Sequence, residues 1–134
     1  MQIQTYKYEI KGDERGSLIA LENNIDVPFN IKRVFYIYDT LDGVVRGTHA
    51  HFLTQQLLVC VKGSCKVTLD DGKTKKTFLL DAPDKALLQK PMIWGKMYDF
   101  SDDCVLLVLA DQLYDEEDYI RDYDKFLKII NEVD

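Results

Sequence analysis

The segment Arg46-Gly47-Thr48-His49-Ala50-His51 holds both histidines of this 134-residue chain, two positions apart. In a β-strand, residues i and i+2 point to the same side, so the two imidazoles project together, into a barrel if the strand belongs to one. Histidine titrates nearest neutral pH, and a facing pair suits removing a proton from one atom and delivering one to another. The cysteines, Cys60, Cys65 and Cys104, are three in number and each lies in an apolar run. An odd count without zinc-site spacing predicts buried free thiols rather than a disulfide framework, a metal centre or a nucleophile.

A histidine pair needs rigid elements to aim it, and the surrounding sequence reads as short strands. KRVFYIYDT (32–40) is β-branched and aromatic, and QQLLVCVKG (55–63) is almost continuously apolar, as a strand buried on both faces would be. SCKVTLDDGKTKKTFLL (64–80) predicts a hairpin with a type I′ turn at Asp71-Gly72. KALLQKP (85–91) and CVLLVLAD (104–111) are further strands. The C-terminus changes period. An acid at Asp115 and first-turn carboxylates at Glu116, Glu117 and Asp118 precede Tyr119, Ile120, Tyr123, Phe126, Leu127 and Ile130, which predicts one amphipathic helix. No repeat or linker interrupts the chain, so residues 1–134 form a single all-β domain, a sandwich or small barrel with a C-terminal α-helix.

The net charge of −6 argues against a phosphate-backbone binder, which normally carries a basic patch. It leaves room for a small anionic ligand held by a few local Arg and Lys side chains. No apolar run approaches the ~20 residues of a membrane span. The N-terminal MQIQTYKYEIKGDERG lacks the apolar stretch of a signal peptide, which predicts a cytoplasmic protein.

His49-x-His51-x4-Gln56-x6-Gly63 resembles the first motif of the cupins, with Gln56 in place of its glutamate, and Gly95 stands where the second motif would bring a histidine. Two imidazoles without carboxylate or third histidine make a poor site for iron, zinc or manganese, so no metal and no cofactor are expected. The stretches 15–18, 27–40, 46–51, 63–72, 92–100 and 105–126 narrow the likeness. They resemble the TDP-4-keto-6-deoxy-D-glucose 3,4-ketoisomerases, and the similarity spans nearly the whole chain. The resemblance implies a double-stranded β-helix, or jelly roll, and a homodimer that exchanges N-terminal strands. It also implies a TDP-linked keto sugar as substrate, and a 3-keto product passed to a PLP-dependent aminotransferase making 3-amino-3,6-dideoxy sugars for surface polysaccharides.

Moving a ketone from carbon 4 to carbon 3 needs a base for the carbon-3 proton, stabilisation of the enediolate, and reprotonation at carbon 4. Carried over from the resemblance, His51 is the base and His49 a second acid/base or a donor to the enediolate. Tyr36 would donate to a sugar oxygen. Arg46, Arg33 and Lys66 are candidate partners of the diphosphate, and Arg46 also of the enediolate, because guanidinium forms a fork to anionic oxygens. Gln56, Trp94 and Met97 would line the sugar pocket. Arg15-Gly16 resembles the pair in members that give the galacto product. Gly95, where relatives carry a polar or basic residue, removes one candidate relay and leaves room for a wider pocket. Phe52-Leu53-Thr54 replaces a more basic stretch. Three other readings use the same residues: a metal-free nucleotide-sugar epimerase, a non-catalytic sugar-binding cupin, and a metal-dependent dioxygenase, against which Gln56 and Gly95 count.

Overall fold

Alternation along the chain is resolved into two antiparallel sheets in the computed structural model, which describes residues 1–132. The first sheet has the order β1 (Gln4–Lys7), β9 (Lys85–Gln89), β6 (Gln56–Lys62), β11 (Val105–Ala110), β4 (Arg33–Tyr38). The second has the order β12 (Tyr119–Ile120), β5 (Arg46–His51), β10 (Trp94–Tyr98), β7 (Cys65–Asp70), β8 (Lys75–Leu80). A separate hairpin, β2 (Lys11–Asp13) and β3 (Gly16–Leu18), stands apart from both. This is the jelly-roll arrangement of a cupin, closed by the C-terminal helix α1 (Tyr123–Glu132).

The strand interiors explain the sequence pattern. Leu58 and Cys60 of β6 face inward against Val67 and Leu69 of β7, Leu87 of β9, Met97 of β10 and Leu106 and Val108 of β11. Leu57 and Val59, on the opposite face of β6, pack with Val27, Phe29, Ala86 and Leu88 beneath the chain's N-terminal third. Both faces of β6 are therefore covered, which is why its sequence does not alternate. A third cluster of Ala50, Ile120 and Phe126, with Trp94, Tyr123 and Leu127, covers the outside of the second sheet.

Two local expectations change. The 71–74 connection is a four-residue loop rather than a type I′ turn: only Gly72 has positive φ (93°), and the Asp71 carboxylate accepts from the Lys73 and Thr74 amides at 2.8 Å. A Cβ on Gly72 would stand 3.3 Å from Ile130, so this glycine also lets the loop lie against α1. The C-terminal helix begins at Tyr123, eight residues after Asp115. Asp115 instead caps a short 3-10 turn at Glu116–Asp118. Tyr119–Ile120 then pairs with Ala50 and His51 as β12, and Asp122 accepts from the Lys125 amide at 3.1 Å to start the true helix. The apolar residues of 119–130 mimic one helical face, yet Tyr119 turns toward the histidines while Ile120 and Phe126 meet in the cluster outside the second sheet.

Candidate active site

β5 carries the chemistry, and a bulge sets its aim. Gly95 of β10 pairs with His49, but Met97, two residues on, pairs with Arg46, three residues back. The extra residue on β5 includes Gly47, whose φ is 64°. A regular strand would put Arg46 on the side opposite His49; the bulge brings it to the same side. A side chain at position 47 would also meet Met97, whose Cε lies 3.1 Å from an ideal Cβ there.

His49 and His51 lie with ring centroids 4.7 Å apart, nearly perpendicular. His49 reaches a cavity of about 350 Å³ lined also by Arg46, Gln56, Met97, Tyr119 and Arg121. Apolar walls come from Phe35 and Ile37 on β4. The size falls in the range of small-molecule sites. His51 is 2% exposed, and among the described residues its Nε2 has no hydrogen-bond partner; the same holds for buried Gln56 Oε1 and Arg33 Nε. Buried polar atoms are almost always paired, so an orphan on cavity-lining Gln56, with two more on nearby His51 and Arg33, points to a ligand's hydrogen-bonding groups.

Burial is the first reason that both imidazoles are pushed down to about 4. His51 and Arg121 lower His49 further, while Glu116 partly opposes them. For His51, Asp118 pulls upward against Arg33 and Arg121. At neutral pH both rings are therefore neutral bases rather than cations. Asp118 also fixes the chain leaving β5, accepting from the Leu53 amide at 2.7 Å, the Thr54 amide at 3.2 Å and the Thr54 hydroxyl.

Two residues join the site unannounced by sequence patterning. The Tyr119 ring lies 4.9 Å from His49 and 4.5 Å from His51. Arg121 stacks on Tyr119 at 4.4 Å and is held by Glu116 through Nε–Oε1 and Nη2–Oε2 bonds of 2.7 and 2.9 Å. The helical pattern spanning 115–130 predicts other directions for both positions; only the two-residue strand pairing Tyr119 with His51 reveals them.

Of the residues expected at the site, Arg46, Gln56, Met97 and the histidines come together. Arg33 lies beside them, over the Phe35 and Tyr114 rings. Tyr36 does not: it points out from β4 against Tyr38 and is 61% exposed, because Phe35 and Ile37 take the inward positions. Lys66 pairs with Asp99 at 3.2 Å away from the cavity. Trp94 packs on Tyr123 and Phe126 outside the second sheet. Arg15 and Gly16 occupy the tip of the isolated hairpin, where Arg15 pairs with Asp13. Gly95 does not widen the pocket, since the Gln89 amide fills its open side, 2.6 Å from where a Cβ would be.

The same packing answers whether a cupin-type metal fits. Beside the two imidazoles stand the amide of Gln56 and, at the fourth position, Gly95 backed by Gln89. That donor set lacks the carboxylate and third imidazole of such centres, so it does not fit one.

A model of the family described as FdtA: WxcM-like, C-terminal matches residues 1–131. The chain belongs to this family. It is 52% identical to a TDP-4-oxo-6-deoxy-alpha-D-glucose-3,4-oxoisomerase of Aneurinibacillus thermoaerophilus, over 90% of this chain and 87% of that one. A 3,4-ketoisomerase from Helicobacter canadensis superposes with a TM-score of 0.95 at 45% identity, covering 98% of each chain. QdtA of Thermoanaerobacterium thermosaccharolyticum, as a histidine-to-asparagine mutant in complex with TDP-4-keto-6-deoxyglucose, superposes at 0.94 with 38% identity, covering 97% of this chain and 94% of that one. Among the described residues, no helix of this FdtA-family chain is long and apolar enough to cross a membrane.

Proposed function

We propose that the chain is a sugar-nucleotide 3,4-ketoisomerase that converts TDP-4-keto-6-deoxy-D-glucose to a TDP-3-keto-6-deoxyhexose by proton transfer alone. The observation that carries this reading is the neutral His49–His51 pair at an anion-friendly cavity, in a chain 52% identical to an oxoisomerase of that substrate. His51 takes the carbon-3 proton, and a neutral imidazole is ready to do so at pH 7. Its protonated form is more acidic than an ordinary imidazolium, because burial disfavours the charge, so the proton is readily returned at carbon 4. His49, against the same ring of Tyr119, moves the proton between the two oxygens. Arg46 and Arg121 supply positive charge where the enediolate oxygens and the diphosphate gather it. The hydroxyl-donor role expected of Tyr36 passes to Tyr119. The histidine-to-asparagine mutant that holds this keto sugar in a relative supports a histidine as the base. The reaction has no net redox change and uses no metal or cofactor, a reading supported by the donor set.

The finer parts of the proposal are a galacto product, a cytoplasmic homodimer, and an aminotransferase as the next enzyme. The β2–β3 hairpin supports the dimer: all its residues are exposed, including Leu18 at 58%, and a lone two-stranded hairpin is marginal in water. Arg15 at its tip contributes to binding through a second subunit. The test is proton NMR of TDP-4-keto-6-deoxy-D-glucose incubated with metal-stripped enzyme in deuterated water. A 3-keto product with deuterium at carbon 4 is expected, and its coupling constants give the configuration. A recovered 4-keto sugar labelled at carbon 3 or 5 would replace this reading with epimerisation, and absence of exchange would replace it with binding alone.

A further inference from the structure

The three cysteines, dispersed in sequence, meet in space. Cys60 ends the inward row of β6, and a turn at Gly63 (φ 71°) carries the chain across to the facing sheet, where Cys65 opens β7. Cys104 precedes β11 and is pressed under that turn: a Cβ on Gly63 would lie 2.9 Å from its Cα. One sulfur from each residue lies within 4.8 Å of the others, and Cys60 and Cys104 sulfurs are 3.6 Å apart. Two sulfurs bonded to one metal at about 2.3 Å and spread by trigonal or tetrahedral angles stand about 3.7–4.0 Å apart. The triad is thus close to ligating spacing without rearrangement of the strands.

The surroundings add a second, independent observation. A surface groove of about 340 Å³ runs to Cys104 and is lined by the carboxylates of Asp39, Asp102 and Asp103 against one ammonium, Lys62. It brings a cation-attracting surface to the Cys104 edge of a triad otherwise closed in the core; Cys104 is 4% exposed and Cys60 and Cys65 not at all.

We propose that Cys60, Cys65 and Cys104 form a binding site for a soft, low-coordinate ion, Cu(I), distinct from the histidine cavity. Three sulfurs converge, and among the described residues no histidine or carboxylate joins them. A structural zinc centre wants a fourth protein donor, whereas monovalent copper is content with three thiolates. Each ligating thiol gives its proton to solvent, so uptake strengthens as pH rises.

The experiment titrates the reduced, metal-free full chain anaerobically with Cu(I), in competition with bathocuproine disulfonate, and examines the complex by X-ray absorption. One ion per chain, surrounded by about three sulfurs near 2.3 Å, is expected. Cys65→Ala and Cys104→Ala should each weaken retention at least about tenfold, while thermal unfolding confirms that both variants fold. Asp102→Asn with Asp103→Asn should slow uptake and leave the sulfur-only coordination unchanged. Loss of all copper to the competitor, equal retention by Cys104→Ala, or nitrogen neighbours indicating the histidines would each overturn the proposal. Preferential binding of Zn(II) in a four-coordinate site would overturn the choice of ion.

Discussion

Gln56 and Cys60 stand on one strand and face one interior, four residues or about 13 Å apart, yet their neighbourhoods are opposites. Around Gln56 the sandwich is open and polar, with two imidazoles, two guanidinium groups and buried atoms that lack partners. Around Cys60 it is shut, and the polar atoms are sulfurs turned on one another. Between them Leu58, Leu106 and Val108 form a dry plug with no exposed surface. A jelly roll can therefore hold a reactive mouth and a closed thiol pocket in one core, since the apolar layer insulates each from the other's protons and ligands.

The sharpest way to break this contrast is His51→Asn. It should cut kcat about a thousandfold or more, within the usual contribution of a general base or somewhat beyond it, while TDP-sugar affinity and circular dichroism stay near wild type. Unchanged turnover would remove His51 from the chemistry. Leu58→Ala attacks the plug: a loss of about 2–5 kcal/mol in urea unfolding is expected, with the whole domain melting as one unit. Two separate transitions would show that the two regions fold independently. Arg46→Ala should raise KM about tenfold, with a smaller fall in kcat if its charge also meets the enediolate.

The pH dependence sharpens the comparison from the histidine side alone. Both imidazoles sit near 4 when folded and near 6.5 when unfolded. Between those values the unfolded chain binds more protons, so stability should fall as pH drops from about 6.5 toward 4, and the acid limb of kcat/KM should lie well below 6. An acid limb at the ordinary histidine value would show that burial does not govern the pair. Smallest of all, Lys66→Ala breaks only an exposed ion pair with Asp99 and should leave KM within about twofold.

Much of this was legible in the residues. The apolar runs marked β4, β6, β7, β8, β9 and β11, because side-chain period and β-branched content are local properties. The histidine spacing gave the shared face, and the cupin-like motif gave its setting. What stayed hidden depended on pairing. Tyr119 and Arg121 enter the site through a two-residue strand whose sequence fits a helical face equally well. The outward turn of Tyr36 follows from which residues of β4 the second sheet covers, a choice that alternation alone leaves open. The thiols are 5 to 44 residues apart in the chain and meet only because a turn at Gly63 joins facing sheets.

The bulge at Gly47 makes one further experiment available to protein engineering. A β-branched residue at position 47 would disfavour the φ of 64° and crowd Met97, so it favours a regular pleat that turns the Arg46 side chain to the outer surface while His49 and His51 keep their places. One codon's change would thereby separate the Arg46 contribution to anchoring an anionic substrate from the machinery of proton transfer.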